Sequence, residues 1–342
     1  QGDENMQFKR TEELRVGMRL ARPIYNKNGV LLFERASKLT DQGIASIKNV
    51  GLIGIFILEP AEPVPPMSEE DIEFERFQTI NVYAIMEELE RIMNTGRTSR
   101  LQIIVSDIIK NYGHLEKKIN FIQNLRSVED YKYKHALNVA ILCAMMSNQM
   151  NLKVEDRLDL VTAALLHGLG DYDLIEKLCS SDPNVKRFCV QADKISESAE
   201  DGKIDSAIKL MEGSMILAVA EVFDNMTAMS FERPPESEVA AIKYLMNHEV
   251  YPRKAVDALV NSVNILSQGV CVELNTGDKA LVLSENPMDI LSPMVLCFGD
   301  NSIIDLSNKD AYGDIEITDI MKTMDNRHEM DTEMLAKYGF GK

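Results

Sequence analysis

The stretch His135-Ala136-Leu137-Asn138-Val139-Ala140-Ile141-Leu142-Cys143-Ala144-Met145-Met146 decides the fold. It is apolar on almost every side, too long for a buried strand and too short to span a membrane. Such a segment is expected as a central helix covered all round by others. A second one follows at Leu158–Leu169 and a third at Met215–Met229. Around them lie amphipathic stretches with apolar residues three and four apart, Ile80–Met93 and Leu101–Tyr112. Ser68-Glu69-Glu70-Asp71 reads as an acidic helix start. Glu238–Val250 and Arg253–Leu266 read as a helix pair broken at Tyr251-Pro252. Residues 68–266 are therefore predicted to be one helical domain.

The period changes on both sides of it. Upstream, Met18–Tyr25 and Val30–Phe33 read as strands around the turn Asn26-Lys27-Asn28-Gly29. Thr40 is placed to cap a helix over Asp41–Asn49, with Gly51 as its left-handed stop and Ile53–Leu58 as a third strand. Residues 6–59 are predicted as a small α/β domain. Pro60, Pro63, Pro65 and Pro66 make 60–67 a stiff linker. Downstream of Gly269, Val270–Leu274, Lys279–Ser284 and Met294–Phe298 alternate as short strands, giving a β appendage over 267–310. Residues 311–342 are expected to be a helix or tail. Residues 1–5, ahead of Met6, look like a protease-cleavage scar.

Composition narrows the function. The 342 residues carry 37 Lys and Arg against 54 Asp and Glu, a net charge of −17. That argues against a nucleic-acid polymer or an anionic membrane as partner. No apolar run approaches the ~20 residues of a membrane span. The five cysteines contain no CxxC pair and are expected as buried free thiols, which with the lack of a secretory signal peptide points to a reducing cytoplasm. The 19 methionines are scattered on helical faces as core filler.

Of five histidines, His135 and His167 fall inside helices expected to be buried. A buried imidazole needs a hydrogen-bond partner or a metal. From the residues alone, both readings stay open. His114 and His328 lie in polar surroundings and are expected to be solvated. Asn247-His248-Glu249-Val250-Tyr251-Pro252 is expected as a helix end, with Pro252 opening the next helix.

Three segments resemble the HD-GYP proteins, a branch of the HD phosphohydrolases. Asp130–Ala140 resembles their first metal-histidine helix. Ala163-Ala164-Leu165-Leu166-His167-Gly168-Leu169-Gly170-Asp171 resembles their His-Asp signature. Ala218–Thr227 with Arg233-Pro234 resembles their downstream aspartate helix. Met6–Leu58 and Gly269–Val282 are similar to modules that accompany this domain. The resemblance implies a helical HD-type bundle, a metal cluster of iron or manganese, and hydrolysis of the bacterial second messenger cyclic di-GMP.

The resemblance also implies His135, His167, Glu221 and Asp224 as vestigial metal ligands. Gly168 replaces the family's bridging aspartate, and Asp171 replaces a lysine that faces phosphate. Between His167 and His248 there is no histidine, and the Gly-Tyr-Pro triplet is absent; Asp201-Gly202 is the nearest remnant. Lys194–Lys209 reads as a solvated helix and loop. Arg233, Lys132, Lys134 and Arg187 are candidate phosphate contacts. Four ligands fall short of the roughly eight to ten donor atoms of a binuclear site. The expectation is therefore a catalytically silent binding or scaffolding module holding no metal or one weakly bound divalent ion. His135, His167 and Glu221 are expected in one buried polar cluster. The expected partners are cyclic di-GMP or another nucleotide, and a protein partner or second copy. A working phosphodiesterase with a reduced metal site, and a dimeric adaptor blind to nucleotide, are the alternatives.

Overall fold

The computed structural model describes residues 7–25, 30–35, 37–58, 68–201, 209–231 and 234–321. The fold is mainly helical, with small antiparallel sheets at either end of the described chain. The expected turn at 26–29, the proline-rich linker at 60–67, Gly202 with the rest of the loop expected up to Lys209 (Lys209 itself excepted), residues 232 and 233 including Arg233, His328 and the terminal residues lie outside the described residues.

The N-terminal unit runs β1 (Gln7–Arg10), a short 3-10 turn (Thr11–Glu13), β2 (Arg19–Leu20), β3 (Ile24–Tyr25), β4 (Leu31–Phe33), α1 (Asp41–Asn49) and β5 (Gly54–Leu58). β5 lies between β1 and β2, antiparallel to both, and β3 pairs with β4. Thr40 caps α1 by accepting from the Gly43 amide, and Gly51 takes the left-handed conformation behind it. Leu20, Leu39, Ile47, Ile55 and Ile57 form the small core. Met18–Tyr25 is not one strand, as the apolar pattern suggested, but two short ones separated at Arg22-Pro23. Pro23 has no N–H to give to a ladder, so the pairing changes partner there.

The helical part comprises α2 (Glu69–Thr95), α3 (Leu101–Tyr112), α4 (Tyr131–Gln149), α5 (Val154–Leu166), α6 (Tyr172–Leu178), α7 (Pro183–Asp201), α8 (Glu212–Thr227), α9 (Glu238–Asn247) and α10 (Arg253–Ser262). Ser68 and Asp71 cap α2 reciprocally, and Gly96 ends it in the left-handed region. α4 is the hub. Every residue from Ala136 to Ser147 is buried, and the helix packs against α2, α3, α5, α8 and α10. α7 packs on α5 and α8. Its buried residues Val185, Phe188, Cys189, Ala192 and Ile195 recur at helical spacing, so the segment ending in Lys194–Asp201 is half of a packed helix and not only a solvated one.

A five-stranded antiparallel sheet closes the chain, in the order β10-β6-β7-β8-β9. The strands are β6 (Cys271–Leu274), β7 (Lys279–Ser284), β8 (Met294–Cys297), β9 (Ile303–Asp305) and β10 (Ile317–Met321), with α11 (Lys309–Tyr312) ahead of the last. Strand alternation gives it two faces. Val272, Leu274, Ala280 and Val282 join the core of the helices, while Cys271, Leu281, Leu283, Leu296 and Phe298 form a cluster of their own. β10 lies in the stretch expected to be helix or tail. Its Ile317 and Met321 pair with Leu274 and Cys271, so β6 is not an edge. All five cysteines are buried and unbridged. No helix among the described residues is long and apolar enough to cross a membrane.

Candidate functional site

α8 carries Glu221 and Asp224 three residues apart, hence on one side of the helix a turn apart. Each carboxylate meets a different histidine, so the single cluster of His135, His167 and Glu221 that the sequence suggested is two clusters.

The first is built around Asp224, which is fully buried. Arg126 Nη2 donates to both of its oxygens, at 2.7 and 2.6 Å. Gln123 Nε2 and Asn138 Nδ2 donate to Oδ1 at 3.0 and 2.9 Å. His135 Nδ1 lies 2.6 Å from Oδ2. The network continues outward: Gln123 also donates to Thr227 Oγ1, Asn138 to Gln123 Oε1, and Gln78 on α2 to Asn138 Oδ1. His135 and Asn138 share a face because they are three apart on α4. Arg126 enters from the segment before α4, whose start is fixed by a reciprocal cap between Ser127 and Asp130. Its guanidinium is fully buried and lies over the ring of Tyr131, 5.0 Å from the centroid. Burial pushes the Asp224 carboxyl up, but Arg126 and then His135 overcome this and hold it well below the usual carboxylate range.

The second cluster is built around His167, where α5 ends in a 3-10 turn. Its Nδ1 contacts Glu221 Oε1, and its Nε2 lies 2.7 Å from Asp193 Oδ1 on α7. Burial alone would lower the His167 pKa, but the two carboxylates reverse that and raise it to about 10. The ring is therefore an imidazolium clamped between two anions. Cys143 and Cys189 stand in the field of Glu221, and burial first, then that charge, pushes both thiols up. They are inert thiols, not nucleophiles.

An iron or manganese ion needs several donors converging on one point. Glu221 and Asp193 instead sit at opposite edges of the His167 ring, so they diverge. A doubly hydrogen-bonded imidazolium has no lone pair to give. Gly168 carries no ligand atom, and its missing Cβ faces open space. Both Asp224 oxygens are taken by Arg126. The residues present do not fit the metal cluster that the resemblance implies. Among the described residues, no group of three or more His, Cys, Asp or Glu is arranged to hold a metal ion.

The remaining candidates are dispersed. Lys134 is largely buried, ion-paired at 2.6 Å with Asp130, and its ammonium also donates to the Leu125 carbonyl. Such a lysine serves as a structural cation at the start of α4, at the edge of the cleft between the N-terminal unit and the helices. Lys132 and Arg187 are exposed, with Lys132 over the Tyr133 ring. Asp171 is spent on capping α6, where it accepts from the Leu174 amide. His248 closes α9, its Nδ1 2.8 Å from the Tyr244 carbonyl oxygen, and His114 is exposed. The residues that sequence reasoning missed are Arg126, Gln123, Gln78 and Asp193. Asp193 follows the apolar spacing of α7 by one position, which is a readable signal. Arg126 and Gln123 sit in an irregular segment without periodicity, which offers none. Compared with known proteins, the chain matches no family model, no curated protein and no solved structure.

Proposed function

We propose that the chain is a catalytically silent, HD-GYP-like module that acts in bacterial second-messenger signalling by binding or scaffolding. One observation carries this reading. The two carboxylates offered by the resemblance as metal ligands are engaged by the protein's own cations, Asp224 by Arg126 and Glu221 by the His167 imidazolium, which it shares with Asp193. Metal-assisted hydrolysis needs the opposite, free anionic and imidazole donors that activate a bound water. Internal ion pairs of this kind hold the helices together while taking away that chemistry. An HD-type bundle is the arrangement this reading requires of the central helices.

The test is hydrolysis of cyclic di-GMP by the full chain with added iron or manganese, beside a binding titration with the intact nucleotide. The expected result is turnover at background. Metal-dependent turnover abolished by His167→Ala overturns the reading and puts a working phosphodiesterase in its place. Binding without turnover marks the chain as a receptor. Neither binding nor turnover marks it as the adaptor that takes only protein partners.

A further inference from the structure

A third polar centre adjoins the Asp224 network, with which it shares Gln78 and Gln123, in a cleft of about 250 Å³ between the N-terminal unit and the helices. Ile24, Leu52 and Val82 supply apolar walls, and Arg22, Glu75, Gln78 and Asn124 line it. Several of its buried polar atoms have no hydrogen-bond partner among the described residues: Glu75 Oε2, Gln78 Oε1, and both the oxygen and the nitrogen of the Asn124 amide. Gln78 is only 1% exposed. Its nitrogen is spent on Asn138 and the Ile122 carbonyl, which fixes the amide and leaves the oxygen over. Buried polar atoms are nearly always bonded, so several orphans lining one cavity point to a missing partner. Glu75 and Gln78 are three apart on α2, which sets two acceptors side by side. Asn124 adds a donor from the facing segment.

We infer that this cleft binds a neutral 2-amino-4-oxo-pyrimidine ring, the donor–donor–acceptor edge shared by guanine and pterin. Its amino group and ring N–H would meet Glu75 and Gln78, and its carbonyl oxygen would accept from Asn124. A cation fits less well, because Arg22 and Lys134 also line the cleft and Arg35 stands in the field of Glu75. The volume falls below the roughly 300–1,000 Å³ of pockets for drug-sized ligands, so it suits one ring system. The inference is independent of the function proposed above.

The test is calorimetric titration of the full chain with guanosine and with pterin, with inosine and uridine as probes lacking the donor pair. It is run at pH 8, where the Glu75 carboxyl, raised to about 7 by burial against the pull of Arg22 and Arg35, is ionised. Saturable binding of guanosine, pterin or both is expected, and which one binds identifies the source of the ring. Asn124→Ala and Glu75→Ala should each weaken it about tenfold, the loss of one buried hydrogen bond. Should Glu75→Ala melt early, Asn124→Ala decides alone, since among the described residues the Asn124 side chain makes no hydrogen bond that its loss would break. No saturable heat with either ring, equal binding of uridine, or binding indifferent to Asn124→Ala overturns the assignment.

Discussion

Two histidines a helix turn apart in their partners are held by opposite means. His135 joins a carboxylate whose charge is already balanced by Arg126, a permanent cation. Among the described residues His167 is itself the only balancing cation for Glu221 and Asp193 in their cluster, and it keeps that role only while it holds its proton. The first cluster is closed at any pH above the range of Asp224. The second is conditional. Burying charge is tolerated in either case because every anion has a partner, but only one of the two centres can be opened by base.

The largest blow to the comparison is Asp224→Ala. It strands the buried Arg126 and three further partners, Gln123, Asn138 and His135, and breaking one side of a buried pair costs about 3–5 kcal/mol. Urea unfolding should show that loss; a loss under about 1 kcal/mol would mean that the guanidinium finds water and the network is not closed. Next comes the pH dependence of the second cluster. The His167 pKa is raised from 6.5 to about 10 on folding, so its contribution is complete below 6.5 and fades as pH climbs toward 10. One proton held by the folded state gives a slope of about −1.4 kcal/mol per pH unit in that window. His167→Gln should flatten the curve by that amount between pH 7 and pH 9, and equal slopes in both proteins would remove the imidazolium from the account.

His135→Leu should cost less, about 1 kcal/mol, because Asp224 keeps Arg126, Gln123 and Asn138. A cost equal to that of Asp224→Ala would place His135 and not Arg126 at the centre. The smallest effect is expected of Gly168→Asp. The new side chain enters open space, so stability should move by under about 0.5 kcal/mol. Turnover of cyclic di-GMP should stay at background, since the diverging carboxylates around His167 are unchanged. A gain of activity from this single change would undo the silent reading.

The helices were legible because their apolar period is strong. Leu101–Tyr112 and Asp41–Asn49 have the bounds that their spacing and caps suggest. The strand Ile317–Met321 was not, since an edge strand of five residues next to charged neighbours carries little pattern, and its partner lies more than forty residues away. The site was half legible. His135 and His167 stood out as histidines inside apolar helices and the resemblance added Glu221 and Asp224, but their pairing could not be read. That pairing depends on Arg126 and Gln123, polar residues whose burial is decided by tertiary packing and leaves no periodic trace, and on Asp193, whose place beside the apolar spacing of α7 does not reveal its partner.

Arg126 has a second attachment. Its side chain is locked into Asp224, while its carbonyl oxygen accepts from the Ile53 amide, and the next residue, Ser127, bridges Leu52. One residue thus ties the small N-terminal core to the centre of the helices. Local opening of β5 must drag on this tie, so the two parts should behave as one cooperative foldon. The Ile53 amide would then exchange its hydrogen for deuterium on the slow schedule of α4 and not on the fast schedule of a small exposed sheet.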